Sequence, residues 1–130
     1  MSTKAIKEVK LKNLTITLVE DNIIRIEVDE HCIVDIDEVK EVQKVKRSLI
    51  GDQRHSVLFI TPKFGTMTKE AREHSASKEV NIHAMGKAIV LNGLAMRILA
   101  NFFINFNKPP VEHRVFENEE DALEWLRTLK

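Results

Sequence analysis

The sequence predicts an α/β fold: a mostly parallel sheet of about five strands, with the first strand antiparallel, covered by about four helices. Apolar residues recur every second position in some segments, which is typical of strands, and every third or fourth position in others, which is typical of helices. Two apolar runs without alternation, at residues 57–60 and 88–90, predict strands covered on both faces. The predicted order is β-β-α-β-α-β-α-β-α. We expect a single domain, 1–130, with residues 1–10 loosely ordered.

A hairpin and a helix open the predicted fold. Apolar and polar residues alternate on both sides of a turn at residues 20–22, which is the pattern of a β-hairpin. The next segment changes period, because Val39, Val42 and Val45 are three residues apart and share one helical face. Asp35 is the predicted N-cap of this helix and Gly51 its stop.

The remaining elements alternate between strands and helices. The run "SVLFIT" predicts a buried strand, and Thr68 is the predicted cap of the helix "KEAREHSAS". A second buried strand, "KAIVL", precedes a helix at 93–106, for which Asn92 is the predicted cap. The strand "EHRVFE" then leads to a last helix capped by Asn118.

Three of the six phenylalanines fall within the stretch "NFFINFNKPP" at the end of the third predicted helix. We expect one broad face of this helix to pack on the sheet; its residues are Leu94, Ala95, Ile98, Leu99, Phe102 and Phe106. The opposite side then carries Met96, Ala100, Phe103 and Ile104, with Trp125 of the last helix as a candidate lid. We therefore expect contacts to a partner or ligand at Met96, Phe103, Ile104 and Trp125, and a homodimer through this outer surface.

Composition and charge narrow the class of protein. Twenty acidic and twenty basic residues give a formal net charge of zero, which argues against a nucleic-acid partner. The only cysteine is Cys32, so no intramolecular disulfide can form, as is usual in a reducing compartment. No apolar run approaches the length of a membrane span, and the start of the chain lacks a signal-peptide pattern. These observations predict a cytoplasmic protein without a membrane span.

No catalytic signature occurs in the sequence. It contains no phosphate-binding glycine loop, no GxSxG, no HExxH and no CxxC. His31 and Cys32 are adjacent, and adjacent residues in an extended segment point to opposite faces, so they are poor co-ligands for a metal. We expect no catalytic residue, no metal and no cofactor.

The loop "TPKFGTMTKEAR" lies between the C-terminal end of a buried strand and the start of a helix. Ligands and phosphates commonly bind at this position in α/β sheets. Thr66 and Thr68 are therefore candidate regulatory hydroxyls. The alternative is that Thr68 serves only as the cap of the following helix.

The order of elements resembles a STAS domain, the fold of the bacterial anti-sigma-factor antagonists. Residues 87–129 resemble small uncharacterised bacterial proteins described as SpoIIAA-like or STAS/SEC14-like; the shared features are an apolar helix ending in "NFFINFNKPP" and the segment "RVFENEEDALEWL". In the regulatory STAS proteins the phosphorylated serine belongs to an Asp-Ser pair where a helix begins. This sequence has Gly65-Thr66-Met67-Thr68 there, so it departs from that pattern.

Two functions follow as hypotheses. The first is a non-enzymatic cytoplasmic protein-interaction module with a STAS-like fold and a regulatory role. The sequence does not identify its protein partner. The alternative, implied by the SEC14-like resemblance, is a binder of a small apolar ligand or lipid held between the third helix and the sheet.

Overall fold

The computed structural model describes residues 5–20, 22–61 and 66–129, with only the backbone given for Ala5, Ile6 and Thr66. The elements in chain order are β1 (Ala5–Lys10), β2 (Leu14–Val19), β3 (Ile23–Val28), β4 (Ile33–Val34), α1 (Ile36–Ile50), β5 (His55–Ile60), β6 (Thr66–Met67), α2 (Lys69–Ser75), β7 (Ala84–Val90), α3 (Leu94–Asn107), β8 (His113–Phe116) and α4 (Glu119–Arg127).

Six of the strands form one sheet in the order β1-β2-β3-β5-β7-β8. β2 pairs antiparallel with both β1 and β3, whereas β3, β5, β7 and β8 run parallel. The predicted α/β class, the parallel order and the antiparallel first hairpin are confirmed. The sheet has six strands rather than about five, because residues 5–10, expected to be loosely ordered, form the edge strand β1. The short strands β4 and β6 pair separately.

The predicted caps explain where three of the four helices begin. The Asp35 carboxylate accepts a hydrogen bond from the Glu38 N–H at 2.9 Å, and the Asn118 side chain accepts one from the Asp121 N–H at 2.8 Å. Thr68 caps α2 in the same way. The predicted cap of α3 is wrong: the N-cap is Gly93, at φ 93°, and no side chain bonds to the first turn.

Two apolar layers cover the sheet. On one face α1 and α2 pack over a cluster of residues that includes Ile16, Ile24 and Val57. On the other face α4 packs over a second cluster, to which Leu58 and Ala88 belong. Neighbouring strand residues therefore divide between the two layers, as the pleat requires.

A salt bridge fastens α4 to the sheet. The Arg25 guanidinium in β3 donates to both carboxylate oxygens of Glu119, at 2.7 and 3.0 Å. This carboxylate raises the pKa of Arg25, with a smaller contribution from Glu27. The last helix is thus tied to β3 and packs over β5, β7 and β8, on the face opposite to α1 and α2.

The middle strands differ in how well they are covered. In β5 the side chains from His55 to Leu58 are buried, as predicted for residues 57 and 58, whereas Phe59 and Ile60 are only partly buried. In β7, Ala88 and Val90 are buried beneath α4, whereas Lys87 and Ile89 on the other face are only partly buried. The prediction of full coverage for "KAIVL" is therefore wrong for one face, because α3 does not close over it.

Candidate functional site

Helix α3 is the least covered element of the fold. None of its fourteen residues is buried. Four apolar side chains spaced four residues apart form a continuous row on its surface. They are Leu94, Ile98, Phe102 and Phe106, which are 67%, 60%, 58% and 68% exposed, respectively. We call this row the outer stripe. The rings of Phe102 and Phe106 are stacked, with centroids 6.1 Å apart.

The orientation predicted for α3 is therefore wrong. Of the residues expected to pack on the sheet, four point outward, namely Leu94, Ile98, Phe102 and Phe106, and Ala95 is also exposed. Leu99 alone of this set lines a cavity under the helix. The residues expected outside line the same cavity; they are Met96, Ala100, Phe103 and Ile104.

Trp125 cannot cover Phe103, because it lies on the other face of the sheet. It packs there with Phe116, at 5.7 Å between ring centroids, and with Arg114, whose Cζ lies 4.9 Å from the ring. The indole also approaches the backbone of Gly86, where a β-carbon would come within 3.3 Å of it. Of the four predicted contact residues, Met96, Phe103 and Ile104 come together at one site and Trp125 does not join them.

Two contacts hold α3 over the edge of the sheet. The Arg97 guanidinium forms an ion pair with Glu117 at 2.7 Å, just beyond the end of β8. The Arg72 guanidinium of α2 lies over the ring of Phe103, with Cζ 3.8 Å from its centroid. The helix ends at Lys108, which adopts a left-handed conformation at φ 48° and donates its N–H to the Ile104 carbonyl.

A cavity of about 170 Å³, which we call the cleft, lies between α3 and the face of β5, β7 and β8 that α4 does not cover. Most of its wall is apolar, and the apolar side chains include Phe59, Ile89, Leu91, Met96, Phe103 and Ile104. An apolar cavity of roughly 150 Å³ is large enough to bind benzene. The cleft can therefore hold a small apolar body.

The polar side chains of the cleft include three basic residues. Lys87, Arg72 and His113 line it, and no acidic residue does so among the described part of the chain. The pKa of Lys87 is lowered to about 8, chiefly because burial disfavours the ammonium ion and also because Lys46 is a neighbouring positive charge. Burial, reinforced by Lys87, lowers the pKa of His113 to about 4.

A hydrogen bond of His113 determines the tautomer of its neutral form. Its Nδ1 lies 3.0 Å from the Val111 carbonyl oxygen. Because a carbonyl only accepts, Nδ1 carries the proton and Nε2 is left as an acceptor. Lys87 and His113 are register partners in the parallel pair β7–β8.

Two further basic residues with lowered pKa values belong to α1 and β5. Lys46 is only 7% exposed, and burial lowers its pKa to about 8. The neighbouring His55 is 3% exposed; burial lowers its pKa to about 4, while its bond to the Gln53 carbonyl acts the other way. Both side chains reach a more polar cavity of about 320 Å³. Within the described ranges no group of three or more potential metal ligands occurs.

The two candidate regulatory hydroxyls have different placements. The Thr68 hydroxyl accepts a hydrogen bond from the Ala71 N–H at 3.1 Å, so it serves as the cap of α2. Thr66 belongs to β6, and its side chain lies outside the described residues. Residues 62–65 of the same loop also lie outside them.

Sequence reasoning missed the basic residues of the cleft. The sequence predicts Lys87 only as the first residue of an apolar strand and Arg72 only as part of the helix "KEAREHSAS". One signal was available: Lys87 and Ile89 alternate with Gly86, Ala88 and Val90, so the lysine had to share a face of β7 with an apolar residue.

Comparisons with known proteins agree with this fold. A family model described as "Domain of unknown function (DUF7793)" matches residues 17–130. A similar solved structure is that of an uncharacterised protein from the DUF3478 family with a SpoIIAA-like fold, from Shewanella loihica PV-4. It is 18% identical, the alignment covers 97% of this chain and 98% of that chain, and the TM-score is 0.61.

At this identity the likeness shows the fold alone, and it confirms the SpoIIAA-like fold that the resemblance implied. No curated protein matches the chain. Among the described residues, none of the helices has the length and apolarity needed to cross a membrane.

Proposed function

Since the chain belongs to the DUF7793 family, which is described as a domain of unknown function, we propose a function from the geometry. The protein is a non-enzymatic, regulatory protein-interaction module that binds through the outer stripe of α3. The observation that carries this proposal is the exposure of four large apolar side chains in one row. Burying one such side chain stabilises by about 1.5–3 kcal/mol, so a row left in water favours association.

We propose a second copy of the chain as the partner. The outer stripe contains no charged residue, and Arg97, the only charged residue of α3, is already paired with Glu117. The formal net charge of the protein is zero, so two copies approach without strong mutual repulsion. A two-fold axis would place each stripe against its copy and bury both at once.

The proposal places the protein in the cytoplasm, where the free thiol of Cys32 would stay reduced. Any regulatory role of Thr66 or Thr68 would act from the loop before α2, which is the helix that contacts Phe103 of α3.

Light scattering at micromolar concentration tests the dimer. We expect about twice the monomer mass of 15.0 kDa for the wild type. Phe102→Asp should give a folded monomer, because it places a charge in the middle of the stripe. Ser48→Asp is the matched control, since it adds the same charge to an exposed position of another helix, α1, and should leave the dimer intact. A monomeric wild type would refute self-association.

A second candidate function is supported by the cleft. It is an apolar cavity of about 170 Å³, which favours binding of a small apolar ligand between α3 and the sheet. This function does not compete with the first, because the cleft and the outer stripe lie on opposite sides of α3.

A further inference from the structure

The cleft combines an apolar wall with positive groups that have no anionic partner in the described part of the chain. Among the described residues, no carboxylate lies within ion-pairing distance of Lys87 or Arg72. The Nε of Arg72 is buried and has no hydrogen-bond partner there. Both side chains are partly buried, and charged groups removed from water are normally paired, so both cations are unusual.

Aromatic rings provide the contacts these cations do have. Lys87 Nζ lies 5.0 Å from the centroid of Phe59, and Arg72 lies over Phe103. A ring face attracts a cation but accepts no strong hydrogen bond from it. The ammonium and guanidinium N–H groups therefore keep donors available to a ligand in the cleft.

From this arrangement we propose that the cleft binds a small apolar monocarboxylate, with its apolar body against α3 and its carboxylate on Lys87 and Arg72. This inference deepens the second candidate function and rests on it. The volume fits one aromatic ring or a chain of about six carbons. A carboxylate would supply the missing acceptors, and such charge-assisted hydrogen bonds are among the strongest in proteins.

The other groups around the cleft agree with a single negative charge. Lys46 of α1 adds a positive charge behind Lys87. His113 of β8 is neutral at pH 7, so it neither repels a carboxylate nor needs a second one. The cleft-facing residues of α3 are uncharged.

Three six-carbon probes test the proposal by ligand-detected NMR titration at pH 7: hexanoate, 1-hexanol and hexylammonium. They share the apolar chain and differ in head-group charge. We expect hexanoate to bind at least about tenfold more tightly than hexanol, because it gains charge-assisted hydrogen bonds. Hexylammonium should bind most weakly, because it is repelled by the same cations.

Lys87→Met keeps the length and apolarity of the side chain and should remove most of the preference for hexanoate. Lys12→Met, in the exposed loop before β2, is the matched control and should change nothing. A measurement on the wild type needs no variant: the preference should decline as the pH rises from 7 to 10, because Lys87 loses its proton while Arg72 stays charged.

The outcomes separate the two ideas. Equal affinity for hexanoate and hexanol would overturn carboxylate selection and leave apolar-ligand binding in place. Failure of all three probes to bind would overturn both. A preference that persists unchanged in Lys87→Met, or at pH 10, would overturn the role given to Lys87.

Discussion

The guanidinium of Arg72 lies over the ring of Phe103, with Cζ 3.8 Å from the ring centroid. This contact joins α2 to α3 across the mouth of the cleft and determines which side of α3 faces the protein. Phe102, the preceding residue, consequently points to solvent and is 58% exposed. Two adjacent phenylalanines thus have different environments.

Truncation of these two phenylalanines should have unequal effects on stability. Phe103→Ala removes the ring beneath Arg72 and part of the cleft wall, and we expect it to lower the free energy of unfolding by about 1–3 kcal/mol. Phe102→Ala should change the stability of the monomer by less than about 0.5 kcal/mol, as is usual for exposed positions. Urea unfolding at a concentration where the protein is monomeric measures both. A larger loss for Phe102→Ala would contradict the orientation of α3.

Stability should fall in mild acid, and His55 should account for part of this loss, with His113 adding to it. The pKa of His55 is lowered to about 4 in the folded protein, against 6.5 for an ordinary histidine. The unfolded chain therefore binds more protons between these two values, and the folded state loses stability as the pH falls from 6.5 towards 4. The contribution of His55 is at most about 3 kcal/mol.

Thermal melting across this range should show less acid sensitivity in His55→Gln than in the wild type. His74→Gln, on the surface helix α2, is the control and should leave most of the dependence in place. Equal pH profiles for the wild type and His55→Gln would contradict the role of His55.

Lys46 should lower stability at neutral pH. Its folded pKa is about 8, below the ordinary 10.5, because burial disfavours the charged form. Below pH 8 the folded state bears the full cost of a buried charge, and this cost disappears as the pH rises from 8 through 10.5. We therefore expect Lys46→Met to stabilise by about 1–3 kcal/mol at pH 7 and to have little effect above pH 10.5.

Denaturant unfolding at pH 7 and 10.5 measures the difference. Lys40→Met, on the exposed face of the same helix, should be nearly neutral at both. Destabilisation by Lys46→Met at pH 7 would show that the ammonium ion is stabilised in the folded protein by a partner.

The cap of α2 gives a test of the hydroxyl at position 68. Thr68→Ala removes the acceptor for the Ala71 N–H and should cost about 1 kcal/mol. Thr68→Ser keeps the acceptor and should cost little, because serine is at least as good an N-cap as threonine. Because α2 carries Arg72, loss of the cap should also speed amide hydrogen exchange in α3. Unchanged stability in Thr68→Ala would mean that the cap is not formed in solution.

The sequence determined most of the elements and their order, although it did not predict β1, β4 or β6. Period-two and helical patterns located the hairpin β2–β3, the buried strands β5 and β7, and the helices α1 and α4, because these features depend on neighbours in the chain. The caps Asp35, Thr68 and Asn118 are equally local, since each bonds to an N–H three residues further on. The fold class followed from this order.

The tertiary structure alone decided the site. Apolar residues surround most of α3, so their spacing could not identify the face that meets the sheet. That choice was made by contacts distant in sequence, from Arg72 to Phe103 and from Arg97 to Glu117. The same contacts hold α3 away from β7 and leave Lys87 in an open cleft, because a helix anchored at a sheet edge cannot also close over the neighbouring strand.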